Sequence, residues 1–212
     1  MARIRITFSK QGALRYTGHL DLHKLWERAA RRAELPLSYS QGFHPQPKIS
    51  LASALPLGFS SQAEVMDIRL NEEIPHEEIL ARLQENLPGG IKVLNIESVD
   101  EGVPALQTQV VSAEYQVALT ELIDESELKR RVDDLMKAES LPRERREKKY
   151  DLRPLIEKIT LETIDPNNGE QRLFMRLAAR EGATGRPEEV LEALGIPADT
   201  TRVERTRLIF QA

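Results

Sequence analysis

A short polar segment of the chain carries four side chains that bind other groups or exchange protons: Tyr39, Gln41, His44 and Lys48. Gly42 permits backbone angles that other residues avoid, whereas Pro45 and Pro47 each fix φ and lack an amide hydrogen. Each proline also favours an extended conformation at the residue before it. We therefore predict a stiff loop over residues 39–50 that presents these side chains to a ligand.

Three side chains are candidates for acid–base catalysis: His19, Tyr39 and His44. Pairs of this kind can move protons on a ribose-phosphate backbone without a metal ion. A metal site built from His19, Asp21 and His23 lacks an obvious fourth ligand, and the sequence has no P-loop, dinucleotide fingerprint, H-E-x-x-H or G-x-S-x-G motif. We therefore expect no metal and no cofactor, and any catalytic residue stays undefined beyond these three candidates.

The first part of the chain is basic, which favours a polyanionic ligand. Residues 1–51 contain nine Lys/Arg and three Asp/Glu, whereas residues 71–141 contain six and sixteen. This local excess matters more for binding than the net charge of −4 of the whole chain. The residues expected to contact phosphate, base or ribose are Arg15, Lys24, Arg28, Arg31, Arg32, Tyr39, His44 and Lys48.

A second basic run lies in the other half of the chain. It comprises Arg143, Arg145, Arg146, Lys148, Lys149 and Arg153. Glu144 and Glu147 dilute its charge, so the run is either a second phosphate-binding cluster or a solvated charged surface. We include its six basic residues among the candidate nucleic-acid-binding residues.

The composition is that of a soluble globular protein, with 40% hydrophobic and 30% charged residues in a chain of 212. No apolar run is long enough to span a membrane, and the N-terminus lacks the apolar region of a signal peptide. The absence of cysteine excludes disulfides, zinc–thiolate sites and iron–sulfur clusters bound by this chain alone. We expect a cytoplasmic protein that does not bind membranes.

The hydrophobic pattern predicts a β-α-β-β-α-β order in each half of the chain. In the first half the elements are a strand at 3–8, a helix at 19–34, strand pieces at 37–40 and 49–54, a strand at 63–70, a helix from Pro75 and a strand at 91–99. In the second half they are a strand at 112–119, a helix at 126–138, strands at 156–163 and 171–179 joined by a turn at 165–169, a helix from Pro187 to near Gly195 and a strand at 201–210.

This order defines an α+β fold of two tandem ferredoxin-like (βαββαβ) units packed together. We expect an N-terminal unit at 1–100, a connector at 101–108 and a C-terminal unit at 109–212. Helix 19–34 should bury Leu22, Leu25, Trp26, Ala29 and Ala33 on one side and expose its four basic residues on the other.

Several motifs resemble a known bacterial family, and they are densest over residues 8–70. They include Lys10-x-Gly12-x-Leu14-Arg15-Tyr16-x-x-His19-Leu20-Asp21, Tyr39-Ser40-x-Gly42-Phe43-His44-Pro45-x-Pro47-Lys48-Ile49-Ser50, Ala54-Leu55-Pro56-Leu57-Gly58 and Asp151-Leu152-Arg153-Pro154. The chain resembles the radical-SAM-associated, or radical-SAM-linked, proteins of unknown function. Members are fused to, or encoded beside, a radical S-adenosylmethionine protein. Because this chain has no cysteine triad, the resemblance implies a stand-alone form with a separately encoded radical-SAM partner.

The first functional hypothesis is an RNA-binding accessory protein that presents RNA, such as transfer or ribosomal RNA, to a radical-SAM partner. A second is a metal-independent ribonuclease or RNA-modifying subunit. A third is a protein scaffold whose acidic middle, residues 71–141, docks a basic partner near the ribosome or the RNA-processing machinery.

Overall fold

The structure is a computed structural model, and it describes residues 2–145, 147–162 and 169–211. The chain forms two compact units, Met1–Val110 and Val111–Ala212, which we call the N-terminal and C-terminal units. Among the described residues, no helix combines the length and the apolar character needed to cross a membrane.

The N-terminal unit has the ferredoxin-like order that the sequence predicts. Its elements are β1 (Ala2–Lys10), α1 (His19–Arg32), β2 (Ile49–Leu51), β3 (Ser60–Leu70), α2 (His76–Gln84), β4 (Ile91–Val99) and the short α3 (Leu106–Gln109). The strands lie in the order β4-β1-β3-β2, and each neighbouring pair is antiparallel. This split βαβ arrangement confirms the predicted fold class.

Alternation along β1 separates a core face from a polar face of the sheet. Ile4, Ile6 and Phe8 are buried in the core, and the Phe8 ring packs edge-on against Trp26 of α1 with 4.7 Å between ring centroids. Because successive side chains of a strand point to opposite faces, Arg3 and Arg5 lie on the face away from this core. The polar face is therefore specified by the same pattern that builds the core.

Helix α1 has the amphipathic arrangement that its sequence predicts. Leu22, Trp26 and Ala29 are buried, together with Ala30 and Ala33, and Leu25 is partly buried. The four basic residues of the helix lie on its exposed side. The apolar stripe thus determines which side of α1 meets solvent.

The C-terminal unit repeats the same order with an added hairpin. Its elements are β5 (Val110–Leu119), α4 (Glu125–Lys137), β6 (Pro142–Arg145), β7 (Lys148–Asp151), β8 (Ile156–Glu162), β9 (Gln171–Arg180), β10 (Ala183–Thr184), α5 (Pro187–Ala193) and β11 (Thr201–Phe210). The main strands lie in the order β11-β5-β9-β8, which matches the strand order of the N-terminal unit. The β6–β7 hairpin is inserted between α4 and β8, where the N-terminal unit has residues 33–48.

Two segments differ from the predicted elements. The strand expected at 37–40 consists instead of isolated bridges from Leu37 to Leu70 and from Tyr39 to Pro47, because the prolines leave too few amides for a continuous ladder. The expected strand at 49–54 is limited to Ile49–Leu51. The turn predicted at 165–169 lies outside the described residues except for Gly169.

Candidate nucleic-acid interface

The exposed side of α1 carries a stripe of cations formed by Lys24, Arg28 and Arg31. Residues four and three positions apart occupy the same side of a helix, so these three groups line one surface. Within the described parts of the chain, the charged groups of Lys24 and Arg28 make no ion pair or hydrogen bond. They are available to phosphate oxygens.

Arg31 joins this stripe to an aromatic ring. Its guanidinium pairs with Glu27 at 2.8 Å and lies 5.9 Å from the centroid of the Tyr39 ring. Arg32, in contrast, donates to the carbonyl of Asn86 at 2.6 Å, after the end of α2. Arg31 therefore contacts the predicted ligand-binding loop, whereas one nitrogen of the Arg32 guanidinium ties α1 to the chain after α2.

Residues 38–48 form a narrow loop that we call the 38–48 hairpin. The backbone amide of Ser40 donates to the carbonyl of Gln46, and the backbone amide of Lys48 donates to the carbonyl of Ser38, each at 2.8 Å. The Gln46 amide donates to the Ser40 hydroxyl at 3.0 Å. Its base is attached to β3, because the Ser38 amide donates to the carbonyl of Arg69 at 2.8 Å. The predicted stiff loop is therefore held by side-chain and backbone bonds at its base.

The tip of the hairpin projects into solvent. Gly42 has φ = 125°, an angle that would strain a residue with a side chain, and the backbone bends over residues 41–44. Phe43 is fully exposed and His44 is exposed beside it. The sequence predicted His44 as a binding residue but not Phe43. An aromatic residue between Gly42 and Pro45 could have indicated an exposed ring at the tip of the loop.

Arg15 and His19 lie on the N-terminal side of α1. The Arg15 guanidinium lies 4.8 Å from the centroid of the Tyr16 ring and donates to the Tyr16 hydroxyl at 2.8 Å. His19 is exposed as the first residue of α1, whereas Arg31, which covers Tyr39, is in its last turn. About 18 Å of helix axis separates the Cα atoms of His19 and Arg31. His19 therefore lies far along the helix from Arg31, whose guanidinium lies over the Tyr39 ring.

Lys48 lines a cavity on the polar face of the N-terminal sheet. The cavity has a volume of about 300 Å³, and its lining residues are Arg3, Lys48, Ser50, Asp67, Arg69, Val103, Ala105 and Leu106. At its floor the Arg3 guanidinium donates to the Asp67 carboxylate at 2.7 and 2.9 Å and to the carbonyls of Val103 and Pro104 at 2.6 and 2.8 Å. Of these lining residues, the sequence selected Lys48 alone.

Alternation could have revealed the remaining polar groups of this cavity. Arg3 lies opposite Arg69 in the β1–β3 register, and Ser50 lies opposite Asp67 in the β2–β3 register. All four lie on the polar face of the sheet, in strands whose alternate residues are apolar. Their juxtaposition depends on strand register, which the isolated sequence does not specify.

The second basic run forms the β6–β7 hairpin of the C-terminal unit. Lys148 and Lys149 are exposed, whereas Arg143 and Arg145 are half-buried. Arg146 lies outside the described residues. Burial and a hydrogen bond to Glu189 raise the pKa of Tyr150, the neighbour of Arg143 in the ladder, to about 12.

Arg153 has an internal role. Its guanidinium donates to the carbonyl of Met136 at 2.8 and 3.2 Å and to that of Ile156 at 3.0 Å. Two backbone amides, those of Leu141 and Arg153, donate to the Asp151 carboxylate and lower its pKa. The Asp151-Leu152-Arg153-Pro154 motif therefore closes the β6–β7 hairpin onto the end of α4.

In the ranges 2–145, 147–162 and 169–211, no group of three or more His, Asp or Glu side chains is arranged to hold a metal ion. The ligand chemistry of the N-terminal unit is instead that of cations and exposed aromatic rings. Such a set can bind a polyanion and stack on unpaired bases.

Strand order and cation placement together describe a mixed α/β protein of ferredoxin-like architecture with a basic surface on its N-terminal unit. A chain in the crystal structure of a Cbf5-Nop10-Gar1 complex has the same overall fold, with a TM-score of 0.52 and 10% identity; the match covers 97% of this chain and 48% of that chain. A chain of the archaeal box H/ACA sRNP Nop10-Cbf5 complex gives a TM-score of 0.48 and 12% identity, with the same coverage of 97% and 48%. The chain thus spans about half the length of these two chains.

Residues 3–187 match the family described as an uncharacterized protein conserved in bacteria (DUF2344). The chain belongs to this family. No curated protein sequence matches it.

Proposed function

We propose that this protein binds RNA through α1 and the 38–48 hairpin. The observation that carries the proposal is the exposed stripe of Lys24, Arg28 and Arg31, whose last member lies over the ring of Tyr39. Cations at helical spacing bind successive phosphates, and this interaction is independent of base sequence. The stripe therefore supplies affinity for the backbone.

The hairpin adds groups that contact bases. Phe43 and His44 are exposed at a tip held by an ordered stem, and Tyr39 is partly exposed at its base. Aromatic rings stack on unpaired bases, whereas bases within a duplex are already stacked on each other. The ligand that fits this combination is single-stranded RNA or an unpaired loop of a folded RNA, such as transfer or ribosomal RNA.

The accessory role is a further part of the proposal, in which the protein presents the bound RNA to a radical-SAM protein. It is supported by the resemblance of the motifs between Lys10 and Gly58 to radical-SAM-associated proteins. Lys148 and Lys149 of the C-terminal unit are exposed and provide a second place for phosphate contacts.

The double variant Lys24→Ala/Arg28→Ala tests the RNA-binding surface. We expect its affinity for a fluorescent single-stranded RNA to fall by about tenfold at low salt, because two phosphate contacts are lost. The slope of log K against log salt should also decrease by about 0.7 for each contact. Fluorescence anisotropy at several salt concentrations measures both quantities.

Lys129→Ala/Lys137→Ala is the matched control, since it removes two exposed cations from α4 and changes the net charge equally. We expect this variant to bind as the wild type does. Equal affinity of all three proteins, or binding insensitive to salt, would contradict the proposal.

A pull-down separates RNA presentation from direct protein docking. If the protein presents RNA, recovery of its protein partner should decrease after nuclease treatment. Recovery that is unchanged by nuclease, with no RNA in the untreated sample, indicates a protein scaffold instead.

A further inference from the structure

The cavity on the polar face of the N-terminal sheet contains polar side chains from three separate segments. Lys48 comes from the base of the 38–48 hairpin, Ser50 from β2 and Arg69 from β3. Backbone bonds fix their spacing, because the Arg69 amide donates to the Lys48 carbonyl at 3.0 Å and Ser50 lies opposite Asp67 in the β2–β3 ladder. The backbone positions that carry the three donor groups are therefore fixed relative to one another.

Positive charge exceeds negative charge around this cavity. Its lining includes Arg3, Lys48 and Arg69 but a single carboxylate, that of Asp67. Asp67 already accepts from Arg3 at 2.7 Å and from Arg5 at 2.9 Å. The positive charge that Asp67 does not compensate is on Lys48 and Arg69, and a bound anion would stabilise it.

The remaining cations are weakly engaged. The Lys48 ammonium has no ion pair within the described part of the chain, and the Arg69 guanidinium pairs with Glu101, whose side chain is 53% exposed. Exposed ion pairs contribute little free energy, so a ligand that reaches Arg69 can displace the Glu101 carboxylate. Arg69 is thus positioned to exchange an internal partner for an external one.

The cavity also has an apolar wall, formed by Val103, Ala105 and Leu106. Its volume of about 300 Å³ exceeds that of an inorganic anion and falls at the lower end of small-molecule sites. The ligand should therefore have an anionic group and a less polar body.

We propose that this cavity binds a phosphate monoester, with Lys48, Arg69 and the Ser50 hydroxyl contacting the phosphate and the apolar wall contacting the esterified group. Once Glu101 is displaced from Arg69, the lining has two more cations than anions, which matches a phosphate dianion better than a singly charged carboxylate. Arginine also binds phosphate oxygens through two parallel hydrogen bonds, and lysine binds them as a point charge. A free nucleotide and the terminal phosphate of an RNA both supply this chemistry.

The inference does not depend on RNA binding by α1, because none of the cations of the α1 stripe lines the cavity. The variant Lys24→Ala/Arg28→Ala should consequently bind a mononucleotide as the wild type does. Loss of the RNA interaction and loss of the cavity interaction are in this way distinguishable.

Isothermal titration calorimetry of the full chain with adenosine 5′-monophosphate tests the site. We expect saturable binding that falls by about tenfold in Lys48→Ala, since a charge-assisted contact is removed. Lys92→Ala, which removes an exposed ammonium of β4 outside the cavity, is the matched control and should bind normally. Glu101→Gln should bind a few-fold more tightly, because Arg69 loses its competing carboxylate.

Three further ligands identify the source of the phosphate. Adenosine should not bind, and a trinucleotide with a 5′-phosphate should bind more tightly than the same trinucleotide with a 5′-hydroxyl. Preference for the mononucleotide supports a free nucleotide, and preference for the phosphorylated trinucleotide supports an RNA end. The proposal would be overturned if neither adenosine 5′-monophosphate nor the 5′-phosphorylated trinucleotide binds saturably. It would also be overturned if adenosine binds as tightly as adenosine 5′-monophosphate, or if Lys48→Ala keeps the wild-type affinity.

Discussion

Arg153 and Lys24 have the same formal charge but differ in what their charged groups contact. Arg153 donates to two backbone carbonyls at the end of α4 and the start of β8, whereas Lys24 extends from α1 into solvent. Arginine is suited to the internal role, because its planar guanidinium donates several hydrogen bonds in fixed directions. A basic residue in a charged run is thus available to a ligand only if the fold leaves its donors unused.

Asp67 shows the same principle for a carboxylate. It accepts from Arg3 and Arg5 on β1, and the side chains of Arg3 and Asp67 are 5% and 6% exposed. Such a group stabilises its neighbours by compensating a charge that water cannot reach.

We expect Asp67→Asn to lower the free energy of unfolding by about 3 kcal/mol, because Arg3 is left buried without its counter-charge. Urea denaturation followed by circular dichroism measures the change. Glu78→Gln is the control, since it breaks an exposed pair with Arg82 on α2 and should cost less than about 0.5 kcal/mol. Equal losses in the two variants would show that the Asp67 network contributes no more than a surface pair.

At the scale of the element, the connection between α2 and β4 holds the N-terminal sheet to the turn after β1. The Gln11 amide donates to the carbonyl of Gly90 at 2.8 Å, and Lys10 lies opposite Ile91 in the β1–β4 ladder. Gly90 has φ = 98°, and a Cβ at this position would lie 2.6 Å from the backbone oxygen of Gln11. Both the backbone angle and the close approach require glycine here.

Gly90→Ala should therefore destabilise the protein by about 1–3 kcal/mol through strain and displacement of Gln11. The neighbouring Gly89→Ala is a matched control, because a Cβ there has no neighbour within 4 Å and Gly89 has no positive φ. Thermal unfolding of the two variants gives the comparison. A lower melting temperature in Gly89→Ala than in Gly90→Ala would contradict this interpretation.

At the scale of the whole molecule, charge is distributed unevenly along a chain of net charge −4. The excess of Lys and Arg is in residues 1–51 and the excess of Asp and Glu is in residues 71–141. A surface potential acts over a Debye length of about 10 Å at moderate salt, so a polyanion responds to the nearest charges and not to the net value.

We accordingly expect the protein to be retained both by an anion exchanger and by immobilised heparin at pH 7. Lys24→Ala/Arg28→Ala should elute from heparin at lower salt, while Lys129→Ala/Lys137→Ala should elute with the wild type. Both variants should elute later from the anion exchanger, because each loses two positive charges. If the two variants shift equally on heparin, net charge alone controls binding and the α1 surface has no special role.

The sequence by itself predicted the order of the main strands and helices in each unit. Alternating apolar residues predicted β1 and β3, the apolar stripe of Leu22, Trp26 and Ala29 predicted the buried side of α1, and the order of these patterns predicted the ferredoxin-like fold class. These signals are local, since each depends on residues a few positions apart, and so they can be identified from the sequence alone. The stripe of Lys24, Arg28 and Arg31 was predictable for the same reason.

The tertiary structure alone decided which distant groups meet. Strand register brings Lys48, Ser50 and Arg69 around one cavity. The Arg3 guanidinium donates to the carbonyl of Val103, and the Arg153 guanidinium donates to a carbonyl at the end of α4. These contacts depend on long-range pairing, and a shift of one residue in register would move every side chain of a strand to the other face. Residue types predict which groups can bind an anion, and the fold determines which of them remain free to do so.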